Sequence, residues 1–263
     1  MESHTEQLLI NGQSGRKLAA RLDRPSGQPL AYALFTHCFT CSKDYHAVSR
    51  ISRGLANRGI AVLRFDFTGL GESEGDFADT NFSTNLEDVI AAAQFLNENF
   101  GSPDLLIGHS LGGSAILAAA RSIPKSSAVV TIGAPSDLAH LKPILTRAAP
   151  EIMTEGEADV LLAGRTFRIK RHLLEDLQEH NLRRAIGELH RPLLVLHSPS
   201  DEVVAIDHAH RIFEAAKHPK SFVAIPGGDH LLSERAATEY VASMISAWFA
   251  RYQGNGEKAI SIS

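Results

Sequence analysis

The chain has 263 residues, 44% hydrophobic and 21% charged, a globular balance that excludes disordered, collagen-like and low-complexity scaffolds. Twenty-six Lys and Arg against 30 Asp and Glu leave a net charge of −4, and no basic block occurs, so nucleic acid is not an expected partner. At ~150 residues per domain, the length allows one to two domains. Met1 to Gln7 is polar and does not read as a secretory leader. No apolar run approaches the ~20 residues of a membrane span. Two cysteines make no disulfide framework, and the expected setting is cytoplasmic, with no membrane partner.

In chain order, Gln7–Ile10 and Lys17–Leu22 flank Asn11-Gly12 and Ser14-Gly15 and read as an antiparallel pair opening the sheet. Six short apolar runs follow: Ala31–Phe35, Ile60–Leu63, Leu105–Ile107, Ala128–Ile132, Leu193–Leu196 and Phe222–Ile225. They are continuous rather than alternating, as suits strands buried on both faces of a parallel sheet. Helical spacing separates them. Val48, Ile51 and Leu55 mark one helix; Leu86, Val89, Ile90 and Ala93 mark a second, with Thr84 and Glu87 as its capping box. Ala209, Ile212, Phe213 and Ala216 mark a later one, and Tyr240/Val241, Met244/Ile245 and Trp248/Phe249 line the last. Alternating strands and helices predict an α/β fold with helices on both faces of one sheet.

The rhythm breaks from about residue 136 to 189, where no core strand is visible and Asp159–Ile169 reads as a small hairpin turning near Gly164. So long an insertion is expected to be functional, here a cap over the top of the sheet. The expected organisation is one domain over 1–252, then a tail or truncated linker over 253–263.

Gly108-His-Ser-Leu-Gly112 matches G-x-S-x-G, the nucleophile elbow. The bare motif is weak, since chance also produces it. Its setting between a buried strand and a helix of small residues strengthens it. A serine at ordinary pKa needs a base, and the base needs an orienting carboxylate. Asp201 follows the strand Leu193–Leu196, and His230 follows Phe222–Ile225. Both lie in turns beyond carboxyl ends of parallel strands, where open α/β sheets build their sites. Ser110, Asp201 and His230 are therefore the expected catalytic residues. Asp229, Glu202 and Asp207 compete less well for the acid.

A tetrahedral intermediate needs two amide donors. The expected pair is the N–H of Leu111, after the nucleophile, and of Phe39, in the turn after Ala31–Phe35. Cys38 and Cys41 read there as two small apolar side chains packed under the turn. A redox dithiol and half a metal site are the alternatives. Asp66, in Phe65-Asp-Phe-Thr-Gly-Leu-Gly71, is expected to hold a Gly-rich loop rather than act in catalysis. Phe67, Leu161, Leu162 and Phe167 are the expected pocket walls.

The strings His37-Cys-Phe-Thr-Cys-Ser-Lys-Asp44, Arg64-Phe-Asp-Phe-Thr-Gly-Leu-Gly-Glu-Ser-Glu-Gly75 and Ala215-Ala-Lys-His-Pro-Lys-Ser221 go further. With the Ser110, Asp201 and His230 turns, they resemble a serine α/β-hydrolase, specifically the hydrolase half of the bacterial α/β-hydrolase/OsmC fusion family. The resemblance covers essentially the whole chain. It implies an α/β-hydrolase fold, with a mostly parallel sheet, antiparallel opening strands, a small cap and a Ser–His–Asp triad. Relatives often continue into an OsmC-like peroxide-reducing domain. Here the chain stops at Ser263, with Gln253–Lys258 linker-like and Ala259–Ser263 resembling the start of a strand, so that activity does not carry over.

The expected function is hydrolysis of short-chain carboxylic esters through an acyl-enzyme, with a small-molecule ester as partner and no metal or organic cofactor. A cap of about 50 residues builds only a modest pocket. Perhydrolysis or acyl transfer on the same triad is one alternative. A non-catalytic partner domain for a redox module is another.

Overall fold

The computed structural model describes residues 3–13, 15–139, 141–162 and 164–253. The expectations for 254–263, the linker-like stretch and the strand start, lie outside the described residues.

The chain opens with β1 (His4–Asn11) and β2 (Lys17–Arg24), paired antiparallel in the register Leu8↔Ala20. Six parallel strands complete an eight-stranded sheet: β3 (Ala31–Thr36), β4 (Ile60–Phe65), β5 (Pro103–His109), β6 (Ala128–Ile132), β9 (Leu193–His197) and β10 (Lys220–Ala224). The order is β1-β2-β4-β3-β5-β6-β9-β10, with β2 antiparallel to β4. The reversal of strand order at β3 opens a crevice beyond the carboxyl ends of the central strands.

Two apolar clusters explain the continuous runs. Leu34, Leu63, Leu106 and Val195 point into one, while Phe35, Val62, Ile107 and Leu196 point into the other. Successive side chains alternate faces, so a strand covered on both sides has no polar position to spare. The first face carries α2 (Phe82–Asn99), α3 (Leu111–Ala119) and α8 (Asp207–Ala215); the second carries α1 (His46–Ala56) and α9 (Arg235–Phe249). Among the described residues no helix is long and apolar enough to cross a membrane.

Two expectations need correction. β10 is an edge strand with no fully buried residue, and Phe222 is exposed; its apolar run covers one flank of the sheet rather than two. The cap of the second helix lies three residues before the expected Thr84: Asn81 accepts the Thr84 N–H at 2.8 Å, and its own N–H donates to Thr84 Oγ1. Thr84 is thus the third helical position, not the cap, because an asparagine at position 81 supplies the acceptor.

Residues 136–189 hold α4 (Leu141–Ala148), α5 (Glu151–Thr154), the antiparallel pair β7 (Glu157–Leu162) and β8 (Arg165–Lys170), α6 (Arg171–Glu179) and α7 (Leu182–Gly187). Val160, Phe167 and Leu174 join the core cluster of the α2–α3 face. Lys170 pairs with Asp79 at 2.6 Å, and Asp176 accepts from the Ser83 N–H and hydroxyl at 2.9 and 2.5 Å. These contacts tie the insertion to the segment leading into α2.

Candidate active site

β5 runs straight into Ser110, whose φ of 54° and ψ of −127° lie where L-residues rarely sit. The elbow is held against β6 by the Ser110 N–H, which donates to Ile132 O at 2.8 Å, and Ser110 O accepts the Gly113 N–H at 2.8 Å. Close approach sets the flanking glycines. A Cβ on Gly108 would lie 2.4 Å from Gly112 O, and one on Gly112 would lie 2.4 Å from His37 O. No side chain fits at either place, so the G-x-S-x-G spacing follows from the packing of α3 against β5 and the β3 turn.

Ser110, Asp201 and His230 converge. His230 Nε2 is 3.0 Å from Ser110 Oγ, and His230 Nδ1 is 2.7 Å from Asp201 Oδ2. Asp201 Oδ1 accepts the Val203 and Val204 N–H groups at 2.9 and 2.8 Å. Burial pushes the Asp201 carboxyl up, but the His230 hydrogen bond and those two amides outweigh it and hold it below its ordinary value. With Asp201 ionised, His230 Nδ1 carries the proton and Nε2 is left to accept the Ser110 hydroxyl. The rival acids are elsewhere. Asp229 accepts from the Ser233 N–H and hydroxyl at 2.7 and 2.6 Å, closing its own turn, and Glu202 and Asp207 are exposed.

The Phe39 and Leu111 amide N–H groups have no hydrogen-bond partner among the described residues. Both residues line one hollow of about 10 Å³, with Phe67, Leu70, Phe77 and Ala115 among its other walls. Phe39, Phe77 and Phe167 form a chain of edge-to-face rings at 5.4 and 5.1 Å. Phe67 therefore lies where a pocket wall was expected, and Phe167 one ring behind the wall. Leu162 is half-buried against the core. Leu161 is 71% exposed. It occupies the solvent face of β7, one residue out of phase with buried Val160, and is not among the walls of the hollow that holds Phe39 and Leu111.

Three buried histidines, missed as site residues from the sequence, brace these turns. His109 Nε2 donates to His230 O at 2.8 Å, His197 Nε2 to Val204 O at 2.8 Å, and His37 Nδ1 to Cys38 O at 2.7 Å. Each carbonyl belongs to one of the turns carrying His230, Asp201 or Phe39. Burial, then the neighbouring His230, lowers His109 to about 4, and burial likewise lowers His37. The only sequence signal was position: each stands at or just beyond a strand's carboxyl end.

Asp66 is fully buried and accepts from the Lys43 N–H, Lys43 Nζ and the Glu72 N–H at 2.6, 2.8 and 2.9 Å. It joins the turn after β3 to the Gly-rich loop after β4, as expected. Buried Arg64 extends the join, donating to Asp23, Asp44 and Lys43 O at 2.7, 2.7 and 2.6 Å.

Cys38 and Cys41 overturn the expectation of two packed thiols: they form a disulfide, with Cα atoms 5.3 Å apart. Three residues of separation in a tight turn bring the sulfurs together, and the Cys41 N–H donates to Cys38 O at 3.1 Å. Among the described residues, no group of three or more His, Cys, Asp or Glu is arranged to hold a metal ion.

Comparison with known proteins places this geometry. The esterase domain of a Rhodothermus marinus protein is 46% identical, covers 95% of this chain and 100% of its own, and superposes with a TM-score of 0.77. Est1E of Butyrivibrio proteoclasticus with ferulic acid bound is 24% identical, with 93% and 98% covered and a TM-score of 0.80, and shares the fold. A mitochondrial palmitoyl-protein thioesterase of Mus musculus is 28% identical over 68% of this chain and 61% of its own length. The chain thus spans about three fifths of the first curated relatives it matches. A family model described as the alpha/beta hydrolase family matches residues 33–243. The chain belongs to the alpha/beta hydrolase family.

Proposed function

We propose that the protein is a serine carboxylic-ester hydrolase that acts on short-chain esters through an acyl-enzyme. The observation that carries the proposal is the Ser110–His230–Asp201 relay at 3.0 and 2.7 Å on a strained, positive-φ turn. Binding alone requires neither the relay nor the strain, which argues against a non-catalytic partner domain.

In this reading Ser110 Oγ attacks the acyl carbon while His230 Nε2 takes its proton. The imidazolium so formed is stabilised by Asp201 and returns the proton to the leaving alcohol. The free Phe39 and Leu111 amides receive the oxyanion, with Leu111 at the start of α3, where the helix dipole also favours negative charge. Water then repeats the sequence and releases the acid. The hollow of about 10 Å³ holds roughly one water, which favours acetyl- or propionyl-sized acyl groups beside the amides.

The relatives agree on the reaction class and differ in substrate: an esterase domain, a palmitoyl-protein thioesterase and a human monoglyceride lipase at 25% identity. The Rhodothermus marinus chain, being one domain of a protein, fits the resemblance to a hydrolase half of OsmC fusions. A chain-length series of p-nitrophenyl esters tests the reading. The kcat/KM maximum should fall at two to four carbons, as roughly one methylene adds or removes 1–3 kcal/mol of fit; a maximum at ten or more refutes the short-chain claim. A fluorophosphonate should label Ser110 and no other residue.

A further inference from the structure

We propose that Cys38 and Cys41 are a reversible dithiol–disulfide site that sets the oxyanion turn, oxidation raising turnover at Ser110 and reduction lowering it. The proposal rests on the esterase reading above, because it takes the Phe39 N–H as an oxyanion donor.

The disulfide brackets Phe39 and Thr40 alone. The base of the turn is held by the His37 imidazole on Cys38 O, and its exit by the Lys43 N–H on Asp66, at 2.7 and 2.6 Å. Between them, the described hydrogen bonds include one that closes the turn, from the Cys41 N–H to Cys38 O at 3.1 Å. Phe39 and Thr40 are only half-buried. The Phe39 ring rests on Phe77, and along the backbone the position of the Phe39 N–H depends on that bond and on the disulfide. An oxyanion donor contributes in proportion to its preorganisation, so a covalent clamp across its own turn acts on kcat.

A global stabilising role explains the bridge poorly. Cross-links stabilise a fold by closing long loops, and the effect shrinks with loop length. This one closes among the shortest loops a chain allows.

Access is asymmetric. Cys38 is 5% exposed, whereas Cys41 is half-buried. Cys41 is thus the more accessible of the two residues to a reagent. A dithiol reductant attacks its Sγ as a thiolate, the Sγ–Sγ bond breaks and Cys38 leaves as a thiolate that takes up a proton. The reductant's second thiol then displaces Cys41 and departs as a cyclic disulfide. In the other direction, the Cys41 thiolate takes an oxygen from a hydroperoxide, releasing an alcohol and leaving a sulfenic acid. Cys38 attacks that sulfur, the new S–S bond forms, and hydroxide leaves as water. Two thiols and one hydroperoxide give one disulfide, one alcohol and one water.

The chain has only these two cysteines, so thiol counting is unambiguous. Full-length protein would be poised in graded oxidised and reduced dithiothreitol, then assayed with p-nitrophenyl acetate while thiols are counted. Full reduction should expose two thiols and lower kcat by ~5- to 50-fold, a partial loss of one oxyanion donor. KM should stay within about twofold, and tert-butyl hydroperoxide should restore kcat as the thiols disappear. Cys41→Ser should sit at the reduced level and ignore both reagents, with a circular-dichroism spectrum like wild type. Equal kcat in both states overturns the proposal, as does a higher kcat on reduction or thiols that never pair. Fluorophosphonate labelling separates the two readings. If Ser110 labels and turns over but ignores redox state, this inference fails alone; if Ser110 neither labels nor turns over, the esterase reading fails and takes this one with it.

Discussion

Ser110, Asp201 and His230 stand on turns that hydrogen-bond to one another and to the buried His109 and His197. The cap, by contrast, shows Leu161, Ile144 and Met153 to solvent and ties its hairpin with Arg168 to Asp159 and Glu157, pairs that are themselves exposed. Exposed pairs contribute about 0–1 kcal/mol each, whereas buried charge-assisted hydrogen bonds contribute more and fix geometry. The strand-end turns are thus held by stronger, buried hydrogen bonds than those that tie the cap's hairpin. In the proposed reading the chemistry belongs to the first region, and the cap bears on the choice of substrate from behind the pocket wall, where Phe167 packs on Phe77.

The comparison breaks most visibly if the turns can be damaged without consequence. Ser110→Ala should lower kcat by ~10⁴- to 10⁶-fold, with unfolding midpoint little changed, since the nucleophile and its base act as a unit. Asp201→Asn should lower kcat by ~10³- to 10⁴-fold, because the imidazole loses the partner that fixes its tautomer. Asp229→Asn is the control. Among the described residues its carboxylate accepts hydrogen bonds from the Ser233 N–H and hydroxyl and none from His230, so kcat should stay within roughly threefold of wild type. Steady-state kinetics on purified variants decides all three.

His109 tests the bracing of one turn by another. His109→Phe removes the donor to His230 O and should lower kcat by ~10-fold with KM unchanged, while His109→Gln, which keeps an N–H, should recover part of the loss. The same residue makes a stability prediction. In the folded chain its pKa lies at about 4 rather than 6.5, chiefly through burial. Between those values the unfolded chain binds a proton that the folded chain does not, so stability falls as pH falls through this window. The full drop is on the order of 3 kcal/mol, and buried His37 shifts in the same direction. Melting curves of His109→Phe between pH 7 and 4 should show a shallower decline than wild type; parallel curves would count against the assignment.

Much of the strand-end region was legible because its constraints are local. Gly108 and Gly112 leave no room for a Cβ, and the apolar runs follow from two covered faces. Such constraints act within a few residues and mark the sequence directly. What was illegible depends on distant partners. His109 looks like an ordinary histidine because its role requires a carbonyl 121 residues away, whereas His197 and His37 reach carbonyls only seven and one residues on, in turns whose shape the sequence does not mark. Buried Arg64 and Lys43 likewise look like surface charges until Asp23 and Asp66 are brought beneath them. The Cys38–Cys41 pair was visible, yet its state depends on the shape of a turn that composition does not encode. In the cap, Leu161 was misread because the hairpin's phase is fixed by which face meets the core, and Val160 takes it.

The smallest expected effect probes the cap side. Phe167 is linked to the oxyanion turn through Phe77, by edge-to-face contacts of 5.4 and 5.1 Å. Removing its ring leaves the relay distances untouched, since no atom of the Ser110, Asp201 or His230 turns bonds to it. It does free volume behind Phe77, which can then swing toward β8 and enlarge the hollow. Phe167→Ala should therefore leave kcat/KM for the acetyl ester within about twofold and raise it for hexanoyl and octanoyl esters by ~3- to 10-fold, the scale of a methylene or two of added fit. The chain-length profile of the variant checks this. An equal loss for every ester would mean that the cap holds the catalytic turns in place, and the division of labour between the two regions would have to be abandoned.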